Sequence, residues 1–66
     1  MSLLPSRLKQ LRLEKALRQS DIAKALEVST RTYQSYELGD REPSTDRLIQ
    51  LADFFDVTTD YLLGRE

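Results

Sequence analysis

The 66-residue chain contains no cysteine, no histidine and no tryptophan, and only two glycines and two prolines. Without cysteine there is no disulfide and no thiol nucleophile. Without histidine as well, a small zinc module has no ligand set and a hydrolase lacks its usual general base. Nothing can staple the fold, so stability has to come from packing, in a chain short enough to bury only about 60% of its unfolded surface. The absence of cysteine also fits a reducing compartment. Gly39 and Gly64 are too few and too far apart to form a glycine-rich phosphate loop. No apolar run approaches the ~18 residues of a membrane span, and the N-terminus carries no signal-peptide pattern. A cytoplasmic setting is expected. Carboxylates are plentiful, but Asp53, Asp56 and Asp60 fall at solvent-facing helix ends, the pattern of a hydrated surface rather than a catalytic or metal site. A chain this small also has little room for an enclosed pocket. The expectation is a protein that is not an enzyme, with no cofactor, no metal and no small-molecule substrate.

The formal net charge of −1 conceals an asymmetry. Residues 1–35 hold seven Lys/Arg (Arg7, Lys9, Arg12, Lys15, Arg18, Lys24, Arg31) against three acids (Glu14, Asp21, Glu27), a balance of +4. Residues 36–66 hold three basic residues against eight acids, a balance of −5. A cationic half suits a polyanionic partner, although solvated helices also scatter charge by chance.

What the chain does have is helical periodicity. Residues 19–38, QSDIAKALEVSTRTYQSYEL, read as two short helices about a tight joint. Ile22, Ala23 and Leu26 form one apolar stripe, Glu27-Val28-Ser29 interrupts it, and Ser29 is a suitable N-cap for the next helix. That second helix buries Tyr33 and Tyr36 and leaves Thr30, Arg31, Gln34 and Ser35 on another face. Small hydroxyls, an amide and one arginine on an exposed short helix match the donor and acceptor edges of base pairs in a DNA major groove. The pair reads as a helix-turn-helix.

Three further helices bracket it. Pro5 is tolerated in a first turn, and Leu4, Leu8 and Leu11 follow at i, i+4 and i+7. Leu17, in the connector Ala16-Leu17-Arg18, should plug the core. Gly39 can take the left-handed conformation that ends a helix, and Pro43 forbids an early restart. Ser44 N-caps a helix with Leu48, Leu51, Ala52 and Phe55 at i, i+3, i+4 and i+7. Thr58 caps a last one that Gly64 closes. The expected fold is all-α: one domain over residues 1–66, with five helices at about 5–15, 19–26, 30–37, 45–55 and 59–63.

The order and spacing of Leu17-Arg18-Gln19, Ile22-Ala23, Val28-Ser29, Tyr36-Glu37 with Gly39, Arg41 with Pro43, Leu51-Ala52, and Phe55-x-Val57 followed by Asp60-Tyr61-Leu62-Leu63-Gly64 resemble the lambda repressor/Cro-type helix-turn-helix regulators. The resemblance runs from about Arg7 to Gly64. It implies a compact lambda repressor-like domain whose second motif helix lies in the major groove. Thr30, Arg31, Gln34 and Ser35 would then read bases, with Arg31 directed at a guanine; contact with phosphate alone is the alternative for Arg31. Arg18, Gln19, Ser29 and Arg41 would meet the DNA backbone. Arg12 and Glu37 resemble a structural ion pair of the family. Two residues depart from its pattern: Arg18, where the family has a Ser, Thr or Asn cap worth ~1 kcal/mol, and Glu27, where it has Gly at the turn.

Together these readings imply a sequence-specific double-stranded DNA-binding regulator, most simply a repressor acting as a homodimer on a palindromic operator. Phe54, Tyr61 and Leu62 are candidates for the dimer surface, or else simply roof the core. The rival is a protein-interaction module of the same fold, an antitoxin or adaptor using the acidic half as its partner face.

Overall fold

The computed structural model describes residues 2–66, and among them it shows five helices and no strand: α1 (Leu4–Glu14), α2 (Gln19–Leu26), α3 (Thr30–Leu38), α4 (Thr45–Phe55) and α5 (Thr59–Leu63). Two elements differ from the sequence-based bounds. The first helix starts at Leu4 and ends at Glu14, because the Leu4 N–H donates to Ser2 Oγ at 3.0 Å and Ala16 already has φ 55°. The third runs one residue further, through Leu38, because it is Gly39 that turns left-handed, with φ 81°. Ser29, Ser44 and Thr58 each cap a helix by accepting the backbone N–H three residues on, from Thr32, Arg47 and Tyr61.

All five helices end alike. A left-handed residue follows each, and the N–H of the next residue reaches back five positions: Leu17 to the Arg12 carbonyl, Val28 to Ala23, Asp40 to Ser35, Val57 to Ala52 and Arg65 to Asp60, at 2.8–3.1 Å. This is the Schellman arrangement, which satisfies carbonyls the helix leaves unpaired. Yet only two of the five left-handed residues are glycine; the others are Ala16, Glu27 and Asp56. The residue after each explains the division. Leu17, Val28 and Val57 follow the three non-glycine turns and pack against the core. Their burial offsets a left-handed strain of ~1–2 kcal/mol. Asp40 and Arg65 follow the glycines and have no such anchor. Gly64 is further required by space, since a Cβ there would stand 2.8 Å from Leu3 Cγ.

The core draws on every helix: Leu4, Leu8 and Leu11 of α1, Ile22, Ala23 and Leu26 of α2, Tyr33 and Tyr36 of α3, Leu51, Ala52 and Phe55 of α4, and Leu62 of α5. Tyr33 and Tyr36 meet edge to face with centroids 6.2 Å apart. Two arginines lock the periphery. The Arg7 guanidinium lies 4.2 Å above the Tyr61 ring and donates to the Tyr61 carbonyl, joining α1 to α5. Arg47 of α4 donates to the Leu26 carbonyl at 2.8 Å, where α2 ends. This changes the expected dimer surface. Leu62 is 0% exposed and cannot meet a partner, and Arg7 already covers the Tyr61 ring; of the three candidates only Phe54 remains exposed.

Glycine at the strained turns should therefore stabilise the protein. Ala16→Gly and Glu27→Gly each relieve ~1–2 kcal/mol of strain and return part of it through a freer unfolded chain, for a net gain of about 0.5–1 kcal/mol in urea denaturation. Asp56→Gly should gain less, since Asp tolerates this conformation better. An unchanged midpoint for both Ala16→Gly and Glu27→Gly would mean that the turns carry no strain.

Candidate nucleic-acid interface

The joint between α1, α2 and α3 is built around one carboxylate. Glu37, near the end of α3, has a side chain only 4% exposed and accepts from Arg12 Nε at 2.7 Å and Arg12 Nη2 at 3.1 Å. This two-pronged pairing is the geometry in which arginine binds a carboxylate most strongly. The same guanidinium donates to the Leu17 carbonyl at 3.2 Å, which fixes the connector into α2. Gln19 Nε2, at the first position of α2, donates at 3.2 Å to Glu37 Oε1, the oxygen that also accepts from Arg12 Nη2. Burial, the largest single influence, pushes the Glu37 pKa up. Hydrogen bonds from Arg12 and Gln19, the nearby Tyr33 hydroxyl and the Arg12 charge outweigh it, and the net shift is downward. The Tyr33 hydroxyl is enclosed and lacks a hydrogen bond of good geometry; burial and then the Glu37 carboxylate raise its pKa and hold it neutral.

Arg18 has no acceptor on its side chain, so it cannot cap α2 as Ser or Thr would. Asp21 supplies half of the missing cap: its Oδ2 accepts the Arg18 backbone N–H at 2.9 Å, the bond that chiefly lowers the Asp21 pKa. The Arg18 guanidinium is 83% exposed, with Asp21 Oδ1 at 3.5 Å, a solvent-facing pair that contributes little to stability.

On α3, the inward positions Tyr33, Tyr36 and Glu37 serve the core and the ion pair, which leaves Thr30, Arg31 and Gln34 exposed and Ser35 half-buried. Two shallow concavities join these residues to their surroundings. One is lined by Arg31, Gln34, Ser35, Leu38 and Asp40, the other by Ser29, Arg31, Thr32, Ser35, Asp40 and Arg41. Arg31, Gln34, Ser35, Ser29 and Arg41 thus share one continuous surface. Thr30 is exposed but lines neither concavity, and Arg18 and Gln19 stand apart at the start of α2. Two hydroxyls are partly spoken for: Ser29 Oγ accepts the Thr32 N–H and lies 2.9 Å from Thr32 Oγ1, while Ser35 Oγ donates to the Arg31 carbonyl at 3.0 Å. Gln19, expected against a phosphate, donates from its amide nitrogen to Glu37. Sequence reasoning missed Thr32, Leu38 and Asp40 on this surface. Leu38 had a signal, since it follows Arg31 by seven residues and so lies on the same stripe; Asp40 is carried in by the left-handed turn at Gly39.

Residues 8–62 match the helix-turn-helix family. The chain is 47% identical over 60 residues to the HTH-type transcriptional regulator AnsR of Bacillus subtilis (91% of this chain, 52% of AnsR). It also resembles the crystal structure of a transcriptional regulator from Listeria innocua, with a TM-score of 0.92 and 34% identity over 97% of this chain and 60% of that one. The P22 c2 repressor, crystallised with synthetic operator 9T, superimposes over 100% of both chains with a TM-score of 0.90 and 26% identity. Against the curated relatives the chain spans about half their length. No helix among the described residues is long and apolar enough to cross a membrane.

The buried carboxylate yields two predictions. Glu37→Ala should lower stability by about 3 kcal/mol, the low end for a broken buried pair because Arg12 retains 13% exposure. A chain of this size holds only about 3–10 kcal/mol in total, so the variant should be substantially unfolded at 37 °C by circular dichroism. A loss below ~1 kcal/mol would mark a surface-type pair. The second concerns acid. A folded-state pKa below the unfolded value means that Glu37 contributes its full stability above about pH 4.5 and loses it as pH falls through the depressed folded value. Urea melts of wild type should therefore weaken from pH 5 downward more steeply than those of Glu37→Gln, whose side chain does not titrate; parallel curves would contradict this.

Proposed function

We infer function from one premise: the chain belongs to the helix-turn-helix family of lambda repressor/Cro-type regulators. That is a family of DNA-binding transcriptional regulators and not of enzymes. On this chain we read α3 as the recognition helix, inserted in the major groove of double-stranded DNA, with α2 crossing the backbone above it. The observation that carries the reading is the exposed surface shared by Arg31, Gln34, Ser35, Ser29 and Arg41, held to the fold by the buried Arg12–Glu37 pair at its far side.

Roles follow from chemistry. Arg31 donates two hydrogen bonds to guanine O6 and N7, Gln34 and Ser35 read neighbouring edges, and Thr30 meets a thymine methyl or an edge acceptor. Arg18, Arg41, Ser29 and the start of α2 at Gln19 meet phosphates, fixing register rather than sequence. Gln19 acts in part through Glu37, which ties the start of α2 to the end of α3.

The protein acts as a repressor, two copies binding a palindromic operator with half-sites ~34 Å apart. The P22 c2 repressor on its synthetic operator supports this choice. A cytoplasmic setting accords with such a role.

Selection of bound sequences from a random duplex pool tests the reading. It should enrich an inverted repeat, with specific binding at least ~10^3-fold tighter than random DNA. Affinity should fall with salt at a log–log slope of about −0.9 per phosphate neutralised. Arg31→Ala should relax preference at one position per half-site by ~1–3 kcal/mol, whereas Arg18→Ala should weaken all sequences alike and reduce the slope by about 1. Salt-independent binding with no enriched sequence would overturn the reading in favour of a protein-interaction module.

A further inference from the structure

Leu38 is the most exposed large apolar side chain among the described residues, at 65%. A lone surface leucine is ordinary; this one stands at the C-terminal end of an otherwise polar face of α3. It follows Arg31 by seven residues, so it lies about 20° from Arg31 around the axis of α3 and about 10.5 Å further along it. Gln34 and Ser35 flank that line on either side. Arg31, Gln34, Ser35 and Leu38 line one concavity, with Asp40 at its edge. Leu38 takes no part in the core, which passes through Tyr33 and Tyr36 on the opposite side of the helix. The Gly39 turn ends α3 directly after it, so the side chain occupies the last outward position the helix offers.

A ligand entering this concavity meets a guanidinium and an isobutyl group together. In the major groove the apolar group available is the C5-methyl of a pyrimidine, and hydrogen-bonding side chains do not distinguish its presence. Resting on the recognition-helix reading above, we propose that Leu38 is a specificity-determining residue that reads a pyrimidine 5-methyl group, within about three base-pair steps of the guanine that Arg31 contacts. The interval follows from about 10.5 Å of helix against 3.4 Å per step. The methyl belongs to thymine or to 5-methylcytosine; both present the same group at the same place.

The test uses the whole chain and the duplex enriched from the random pool, with affinity read by fluorescence anisotropy. Each thymine is replaced singly by deoxyuridine, which removes the methyl and keeps every hydrogen bond, and each cytosine singly by 5-methylcytosine. Wild type should bind about three- to fivefold more weakly when one particular thymine per half-site loses its methyl. Leu38→Ala should erase that difference while Leu38→Met preserves it. The 5-methylcytosine source predicts instead a gain of similar size at one cytosine, again lost in Leu38→Ala. The exposed position makes all variants fold, which circular dichroism checks. A Leu38→Ala protein that loses affinity equally for methylated and unmethylated duplexes, or a wild type indifferent to every methyl, overturns the proposal. Absence of salt-dependent DNA binding altogether would instead overturn the recognition-helix reading beneath it.

Discussion

The Glu37 carboxylate is the point on which three helices depend. It sits on α3, receives a two-pronged arginine from α1 and an amide from α2, and is almost wholly shielded from water. A buried charge without partners would be prohibitive; with them it sets an angle. Arg12 also holds the Leu17 carbonyl, so the same guanidinium fixes where α2 begins and where α3 ends. Any groove-facing surface on α3 is aimed by this node, although none of its three residues lies on that surface.

A second economy lies in how the helices stop. Five left-handed turns with the same reaching-back hydrogen bond give the chain its corners, and apolar residues placed after three of them substitute for the conformational freedom of glycine. The fold thereby obtains sharp connections from a sequence with two glycines. The corner at Glu27 separates the two helices of the motif, so strain tolerated there sets the angle at which α3 meets α2.

Much of the helical pattern was legible because it is local. Ser29, Ser44 and Thr58 announce helix starts by a hydroxyl before an apolar repeat, and Gly39 and Gly64 announce ends. Breaks near Ala16 and Asp56 were legible, but not the left-handed conformation of either residue, which the partly buried Leu17 and Val57 beside them help to hold. The ends of α1 and α3 moved by one residue for the same reason: termini are set by which residue takes the turn, not by propensity. Nothing in the local sequence marks Arg7 and Arg47 as structural, yet they lock α1 and α4 to carbonyls far away in sequence.

For the candidate interface, periodicity alone separated the inward tyrosines from the outward Thr30, Arg31, Gln34 and Ser35, because a 3.6-residue repeat assigns faces before any packing is known. What only the tertiary structure decided is what lies beside that face. Asp40 joins it through the Gly39 turn, the Gln19 side-chain amide is held by Glu37, and Leu62 disappears into the core. Each of these depends on contacts between residues distant in the chain. A helix carries its own hydrogen bonds and its own stripe in its sequence; the neighbours of that stripe are chosen by the packing of all five helices together.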